Sequence, residues 1–374
     1  MSLTTRAKGL EMDKMGNLES KRIGFLPNSA DFSHPQDRRR YIPFLKDLGI
    51  KLETAIFTEH YDVLYLSLNC DLNLWSKYKD HHAPANTKII LDLSDNYLAD
   101  GYLKSVIRSV AHFLFGRTKS LIWDYRTTIR NAIQASDLIT VGSLEQKIEM
   151  ESLHKNIIVI RDFFDQDICD DLKTKPRTLD SSINIFWEGF SHGCIPIFRQ
   201  LKAIVGELKS ESDQINLHVV TDNKICGLMG RFFCTGTEKA LKKLFKNSIV
   251  RVQFYNWTIE NLNNAASACD FAIILLPNDP YLRSKPENKL LLCWSLGLPT
   301  LVSDTPSYSR VMQDSGNIDC ILSANNEWAL MIKEFSQCES KRDSSLETGL
   351  QYMSNKMSYE VMLKTWRLIF NHEV

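Results

Sequence analysis

The stretch from Val250 to Tyr308 reads VRVQFYNWTIENLNNAASACDFAIILLPNDPYLRSKPENKLLLCWSLGLPTLVSDTPSY, and its pattern decides the fold. Three short apolar runs, Val250–Tyr255, Asp270–Leu276 and Pro299–Ser303, alternate with helical patterns over Ile259–Ala268 and Glu287–Leu296. Runs that are apolar without alternation are what parallel strands covered on both faces require. Strand and helix in strict alternation, joined by short connections, give a doubly wound parallel sheet. Pro286 belongs in the first turn of its helix, where a missing N–H removes no hydrogen bond. Gly297 stops that helix, and Pro299 fixes φ into the next strand.

The same alternation extends in both directions. Upstream it runs through strand Ile183–Gly189, helix Pro196–Lys209, strand Asn216–Thr221 and helix Glu238–Phe245. Downstream a short strand near Cys320 precedes helix Asn326–Gln337. An earlier series has strands at Arg22–Pro27, Lys51–Phe57, Asp62–Leu68, Thr87–Ser94, Asp137–Gly142 and Asn156–Phe163. Helical patterns lie between them, over Gln36–Leu48, Tyr102–Phe115 and Leu121–Ala135 and in the stretch through His154. Residues 165–181 are polar and Asp-rich and read as a linker. The expected organisation is a disordered extension over 1–20, an N-terminal Rossmann-like domain over 21–164, the linker 165–181 and a C-terminal Rossmann-like domain over 182–350. A C-terminal segment, 351–374, carries the amphipathic helix Tyr359–Phe370 and packs back across the hinge.

A chain of 374 residues is too long for one core, so two domains are expected. With 45 Lys and Arg against 45 Asp and Glu, it has no net basic field for nucleic acid. Nine scattered cysteines without a C-x-x-C pair point to reduced thiols in the cytoplasm rather than a disulfide framework or a zinc site. The first twenty residues lack the apolar core of a signal peptide, and no apolar run is long enough to span a membrane. The chain has no G-x-G-x-x-G after its first strand and no P-loop, H-E-x-x-H or G-x-S-x-G. His81 and His82 are adjacent and lack a third ligand, so no metal is expected there.

The chemistry concentrates where strand Asp270–Leu276 gives way to the following helix. Arg283, Lys285, Asn288 and Lys289 crowd its N-terminus, where free backbone N–H groups and the positive end of the helix dipole attract an anion such as phosphate. Ligands of open α/β sheets bind at the carboxyl ends of the strands, which is where this loop lies. In the first domain Asp92 and Asp95 stand at the end of Thr87–Ser94, placed to orient a hydroxyl group. The stretch 103–130 interleaves Lys104, Arg108, Arg117, Lys119, Arg126 and Arg130 with Phe113, Leu114, Phe115, Leu121, Ile122 and Trp123. A basic amphipathic stretch of this kind suits an anionic membrane surface.

The ordered set NWTIENL, ACDFAIILLP, SKPENKLL and LGLPTLVSDTPSY resembles the C-terminal domain of GT-B glycosyltransferases, in the retaining superfamily related to glycogen and sucrose synthases. AIQASDLITVGSLEQ, IIVIRDFFD and INIFWEGFSHG are similar to the family's segments upstream, so the likeness covers residues 85–310. It implies two Rossmann-like domains facing across a cleft, and metal-independent transfer of a hexose from a nucleotide sugar to a glycan or lipid-linked acceptor, with retention of configuration. By the same resemblance Gly189, Ser191, His192 and Gly193 line the donor phosphates, Asn288 and Lys289 contact the diphosphate with Lys285 or Arg283, and Trp257 lies near the base. Asn28 and Ser29 occupy the acceptor-side loop. No cofactor is implied beyond the nucleotide-sugar substrate, and the setting is cytoplasmic, peripheral at the inner face of the membrane. Ser284 and Leu292 stand where the family carries paired glutamates. That departure supports a second reading, a non-catalytic GT-B-like protein that binds a nucleotide sugar or a partner; a third is a sugar-nucleotide epimerase.

Overall fold

The computed structural model describes residues 18–82, 86–99, 101–168, 182–191, 194–208, 214–226, 232–276 and 285–371. Most of the expected N-terminal extension, nearly all of the linker, and His192, Gly193, Arg283 and Ser284 lie outside these residues. The chain forms two compact units. One is built from Met1–Phe163 together with Met357–Val374, the other from Phe164–Lys356.

The first unit holds a parallel sheet of β1 (Ile23–Leu26), β2 (Val63–Ser67), β3 (Lys88–Leu93), β4 (Leu138–Val141) and β5 (Ile157–Val159), paired in that order. All residues of β2, β3 and β4 are buried, as the unbroken apolar runs require. The strand expected over Lys51–Phe57 shrinks to one bridge, Phe25 with Thr54, held by the Phe25 amide on the Glu53 carbonyl at 2.8 Å and the Ala55 amide on the Phe25 carbonyl at 2.9 Å. It borders β1 on the side away from β2, so the strand order reverses at β1. The helical pattern over Gln36–Leu48 breaks into α1 (Pro35–Arg38) and a 3-10 turn at Ile42–Phe44, because Pro43 cannot continue the helix.

Helix α2 (Tyr102–Leu114) packs on α3 (Tyr125–Ala135), which with α4 (Leu144–Met150) lies beside this sheet. Ser143 caps α4 by accepting from the Gln146 amide at 3.1 Å. Ile129, Ala132 and Ile133 of α3 pack with Leu64, Ile89 and Leu91 in the core on one face. On the other face Phe25, Tyr41, Phe44, Tyr65 and Ile90 meet the terminal helix of the chain through Trp366, Ile369 and Phe370.

The second unit carries β6 (Ile183–Glu188), β7 (Ile215–Thr221), β10 (Val250–Asn256), β11 (Phe271–Ile274), β12 (Thr300–Ser303) and β13 (Ile321–Leu322). Their order is β10-β7-β6-β11-β12-β13, all parallel. This is the 3-2-1-4-5-6 order of a dinucleotide-type doubly wound sheet, with its switch point between β6 and β11. Between β7 and β10 stands a hairpin that the pattern did not disclose, β8 (Lys224–Cys226) against β9 (Phe232–Gly236). Cys226 and Cys234 form a disulfide across it, with Cα atoms 4.0 Å apart, which corrects the expectation that all the thiols are reduced. The helices are α5 (Cys194–Gly206), α6 (Thr237–Leu244), α7 (Ile259–Ser267), α8 (Asn288–Ser295), α9 (Pro306–Asp314), α10 (Asn325–Gln337) and α11 (Glu339–Met357). The chain then returns to the first unit in α12 (Tyr359–Asn371).

Candidate functional site

The switch point assembles most of the described residues expected to contact a donor around the end of β6. Gly189 follows this strand and its amide donates to the Val220 carbonyl at 3.2 Å. The Lys289 ammonium donates to the Glu188 carbonyl at 2.9 Å and lies 5.3 Å from the centre of the Trp187 ring. A Cβ on Gly189 would collide with that ammonium and push the end of the lysine side chain aside. Asn288 and Lys289 are the first two residues of α8, with Glu287 as its N-cap residue. The helix begins there because the Leu290 and Leu291 amides both reach the Glu287 carbonyl, at 2.9 and 3.2 Å, and it ends at Gly297, where φ is +71°. Asn288 keeps its Oδ1 buried without a hydrogen-bond partner among the described residues.

Trp257 stands beyond β10, half-buried, its amide on the Thr221 carbonyl at 3.0 Å. Its indole N–H donates to the Glu188 carboxylate at 3.0 Å. Glu188 therefore ties Trp257 to Lys289, one through its side chain and the other through its carbonyl. Sequence reasoning passed over this residue; its place as the last residue of a buried strand at the switch point was the available signal.

Ser191 is buried, and its amide and hydroxyl meet the Asp222 carboxylate at 3.2 and 3.3 Å. The hydroxyl also donates to the Lys224 carbonyl at 2.7 Å, joining the turn after β6 to the root of the disulfide hairpin. Thr237 holds the other side of that root, its amide on the Asn223 carbonyl at 3.0 Å and its hydroxyl on the Asp222 carbonyl at 2.7 Å. Phe190, Ser191, Asp222, Lys224, Cys226 and Asn256 line an open cavity of about 520 Å³. It lies at the carboxyl ends of β6, β7 and β10, where a ligand of this sheet type binds. Asp222 and Asn256 are further polar groups that the sequence did not single out.

Lys285 is placed by its carbonyl, which accepts from the Ser307 hydroxyl at 2.6 Å. Glu287 beside it is buried, with one carboxylate oxygen 3.1 Å from Arg310. Leu292, at one of the family's glutamate positions, is buried as well and faces no solvent. The Cys293 thiol is pushed up to about 12 by burial, with the Glu188 charge adding to the effect, and stays protonated.

In the first unit the two aspartates expected to act on a hydroxyl part company. Asp92 is no exposed carboxylate: it is buried, accepts from Arg40 at 2.8 Å and from the Thr140 hydroxyl at 2.8 Å, and is a structural ion-pair partner. Burial raises its pKa while Arg40 opposes that rise. The same guanidinium donates to the Ile160 carbonyl at 2.9 Å and reaches Asp162 at 3.6 Å, so it ties β3 to the chain beyond β5. Asp95 remains half-buried in the turn after β3, accepting from Gln36 at 3.2 Å.

Asn28 and Ser29 follow β1 at its reversal of strand order, but their amides are already engaged. Both donate to the buried Asp37 carboxylate, Asn28 at 2.9 Å and Ser29 at 3.1 Å, and the Ser29 hydroxyl accepts the His34 amide at 2.9 Å. The loop is folded onto α1, and the Asn28 side-chain amide also donates to Asp37, at 3.0 Å. His82 uses its ring on the Phe57 carbonyl at 2.7 Å, and His81 packs at 5.2 Å from the Phe57 ring.

No family model matches the sequence, and no curated protein does. Solved structures do. A mutant of S. aureus TarM, in complex with fondaparinux, alpha-GlcNAc-glycerol and UDP, matches 83% of this chain and 55% of its own, with a TM-score of 0.54 at 11% identity. TarM in a second structure matches with a TM-score of 0.50 at 12% identity, over 83% of this chain and 54% of its own. The pneumococcal O-GlcNAc transferase GtfA, in complex with UDP and GlcNAc, matches with a TM-score of 0.50 at 10% identity, over 83% of this chain and 56% of its own. The chain spans a little over half the length of these structures. They establish the fold: two doubly wound units in GT-B architecture.

Proposed function

We propose, from the GT-B fold and the site at the end of β6, that this chain transfers a hexose from a nucleotide sugar to a glycan or lipid-linked acceptor. The observation that carries the reading is the junction of Gly189, Glu188 and Lys289 at the switch point. A diphosphate there meets a fixed ammonium and the first turn of α8. Those groups carry the charge that builds on the leaving nucleoside diphosphate, so the transfer needs no metal. The acceptor hydroxyl forms the new bond to the anomeric carbon as the bond to the diphosphate breaks, and its proton passes to a base. Asp95 is the described carboxylate of the first unit that suits this role. Trp257 lies on the far side of Glu188 and offers a ring face to the base of the nucleotide. Retention of configuration rests on the resemblance of the motifs alone.

The setting we propose is the cytoplasm, at a membrane surface, in polysaccharide or lipopolysaccharide synthesis. Among the described residues no helix is long and apolar enough to cross a membrane.

The test is a thermal-shift series of the purified chain against UDP, GDP, ADP, CMP and their sugars. UDP comes first because it is the nucleotide in the TarM and GtfA structures. A ligand at a hundredfold excess over its Kd stabilises by about 2.7 kcal/mol. We expect one nucleotide family to raise the melting temperature and Lys289→Ala to remove the rise. Absence of any shift with the native chain would count against a donor site. A second reading, a nucleotide-sugar binder without transfer, is favoured by buried Leu292 in place of a glutamate. It predicts the same shifts but no release of nucleoside diphosphate with any acceptor.

A further inference from the structure

We propose that the solvent face of α2 is a membrane-contact surface for an anionic phospholipid bilayer. Leu103, Ile107, Val110 and Leu114 recur at i, i+4, i+7 and i+11, a spacing that puts them in one stripe along the helix. The stripe faces outward: Leu103 and Leu114 are each 71% exposed and Ile107 47%. The opposite face carries Ser105, Ser109 and His112, and all three are buried. The two serines are hydrogen-bonded inside the unit, and His112 packs against a ring there. The Ser105 hydroxyl donates to the Asp124 carboxylate, the Ser109 hydroxyl to the Ile122 carbonyl, and the His112 ring meets the Tyr125 ring edge-on at 4.7 Å. A helix lying on a soluble protein buries its apolar stripe and exposes its polar one. In α2 that order is reversed, so the apolar stripe is made for an apolar medium outside the chain.

The charge around the stripe selects the medium. Residues 101–123 contain Lys104, Arg108, Arg117 and Lys119 and no aspartate or glutamate. Arg108 lies over the Tyr97 ring at 3.7 Å, which holds its charge beside the helix. Trp123, 66% exposed just beyond this stretch of cations, is the residue type that settles at the level of lipid headgroups. Large apolar side chains flanked by cations, with no carboxylate between them, match an anionic bilayer surface. A second copy of this chain would instead bring the same cations face to face across a two-fold contact. The inference goes beyond the transfer reaction and does not depend on it, because α2 holds none of the donor-site residues.

Flotation of the full chain with phosphatidylcholine vesicles, with and without phosphatidylglycerol, tests this. We expect binding only to the anionic vesicles, and its loss as salt is raised. Each basic residue near such a surface adds about fivefold to partitioning, so Lys104→Gln with Lys119→Gln should weaken binding about 25-fold. Leu103→Ser with Leu114→Ser should weaken it at least about tenfold while leaving the melting temperature unchanged, since both leucines are exposed. Failure of the native chain to float with anionic vesicles overturns the proposal, as does undiminished binding by either double variant. A dimer in sedimentation that the leucine double variant abolishes would assign the stripe to a second copy and overturn it too. The nucleotide thermal shift, measured on the same preparations, reports on the transfer reading separately.

Discussion

At the scale of single residues, burial decides which charged groups are available for chemistry. Asp92 and Asp95 lie three positions apart at the end of one strand, and the sequence gives no means of ranking them. The fold hands Asp92 to Arg40 and leaves Asp95 half-buried. Removing one member of a buried pair strands the other charge and destabilises by about 3–5 kcal/mol. Asp92→Ala should therefore lower stability by that order in urea denaturation, whereas Asp95→Ala should leave stability nearly unchanged and reduce transfer. His112 supplies a second test. Burial, with Arg117 and Arg108 nearby, lowers its pKa to about 4 from the ordinary 6.5. The unfolded chain binds the proton first as pH falls, so this group's stabilising contribution is full above about pH 6.5 and is lost between there and pH 4. Melting temperatures over that range should fall less steeply in His112→Gln than in the native chain; identical profiles would show that His112 does not titrate in this way. Lys289 and Gly189 were singled out in the sequence, and the structure brings them together at the end of β6. Glu188 was not, since a glutamate at a strand end has many uses until Trp257 is seen to reach it.

At the scale of elements, the parallel strands were the most legible part of the chain. Their buried runs admit one reading, and β1, β2, β3, β4, β5, β6, β11 and β12 all fall within the expected stretches. What the pattern missed lay outside hydrophobic periodicity. The segment around Thr54 makes one bridge rather than a strand, since its side chains Lys51, Leu52 and Ile56 stay exposed. The hairpin of β8 and β9 is short, and its strands are joined across by Cys226–Cys234. Two cysteines flanking Gly227 and Gly230 were the available signal. The stretch 103–130 read as a basic amphipathic segment, but periodicity does not say which face of a helix is inward. Ser105, Ser109 and His112 on the inside of α2 answer that, through partners far enough along the chain to be invisible beforehand.

At the scale of the whole molecule, the first unit is discontinuous: its core is completed by α12, which follows the entire second unit in sequence. Trp366 is fully buried there, with its ring 5.9 Å from Tyr65, 6.3 Å from Tyr41 and 5.7 Å from Phe370. Replacing a buried tryptophan by alanine destabilises by about 3–5 kcal/mol. Trp366→Ala should bring down the unfolding transition of the first unit by that order in denaturant titration, with the nucleotide thermal shift still present in the second. Equal loss in both would show that the units unfold as one. The arrangement also sets a timetable. On the ribosome, residues 164 to 356 are made between the two parts of the first unit. At roughly 5–20 residues per second that interval lasts about 10–40 s. Throughout it the aromatic face of Phe25, Tyr41 and Tyr65 waits uncovered, exposed to misassociation until α12 emerges to cover it.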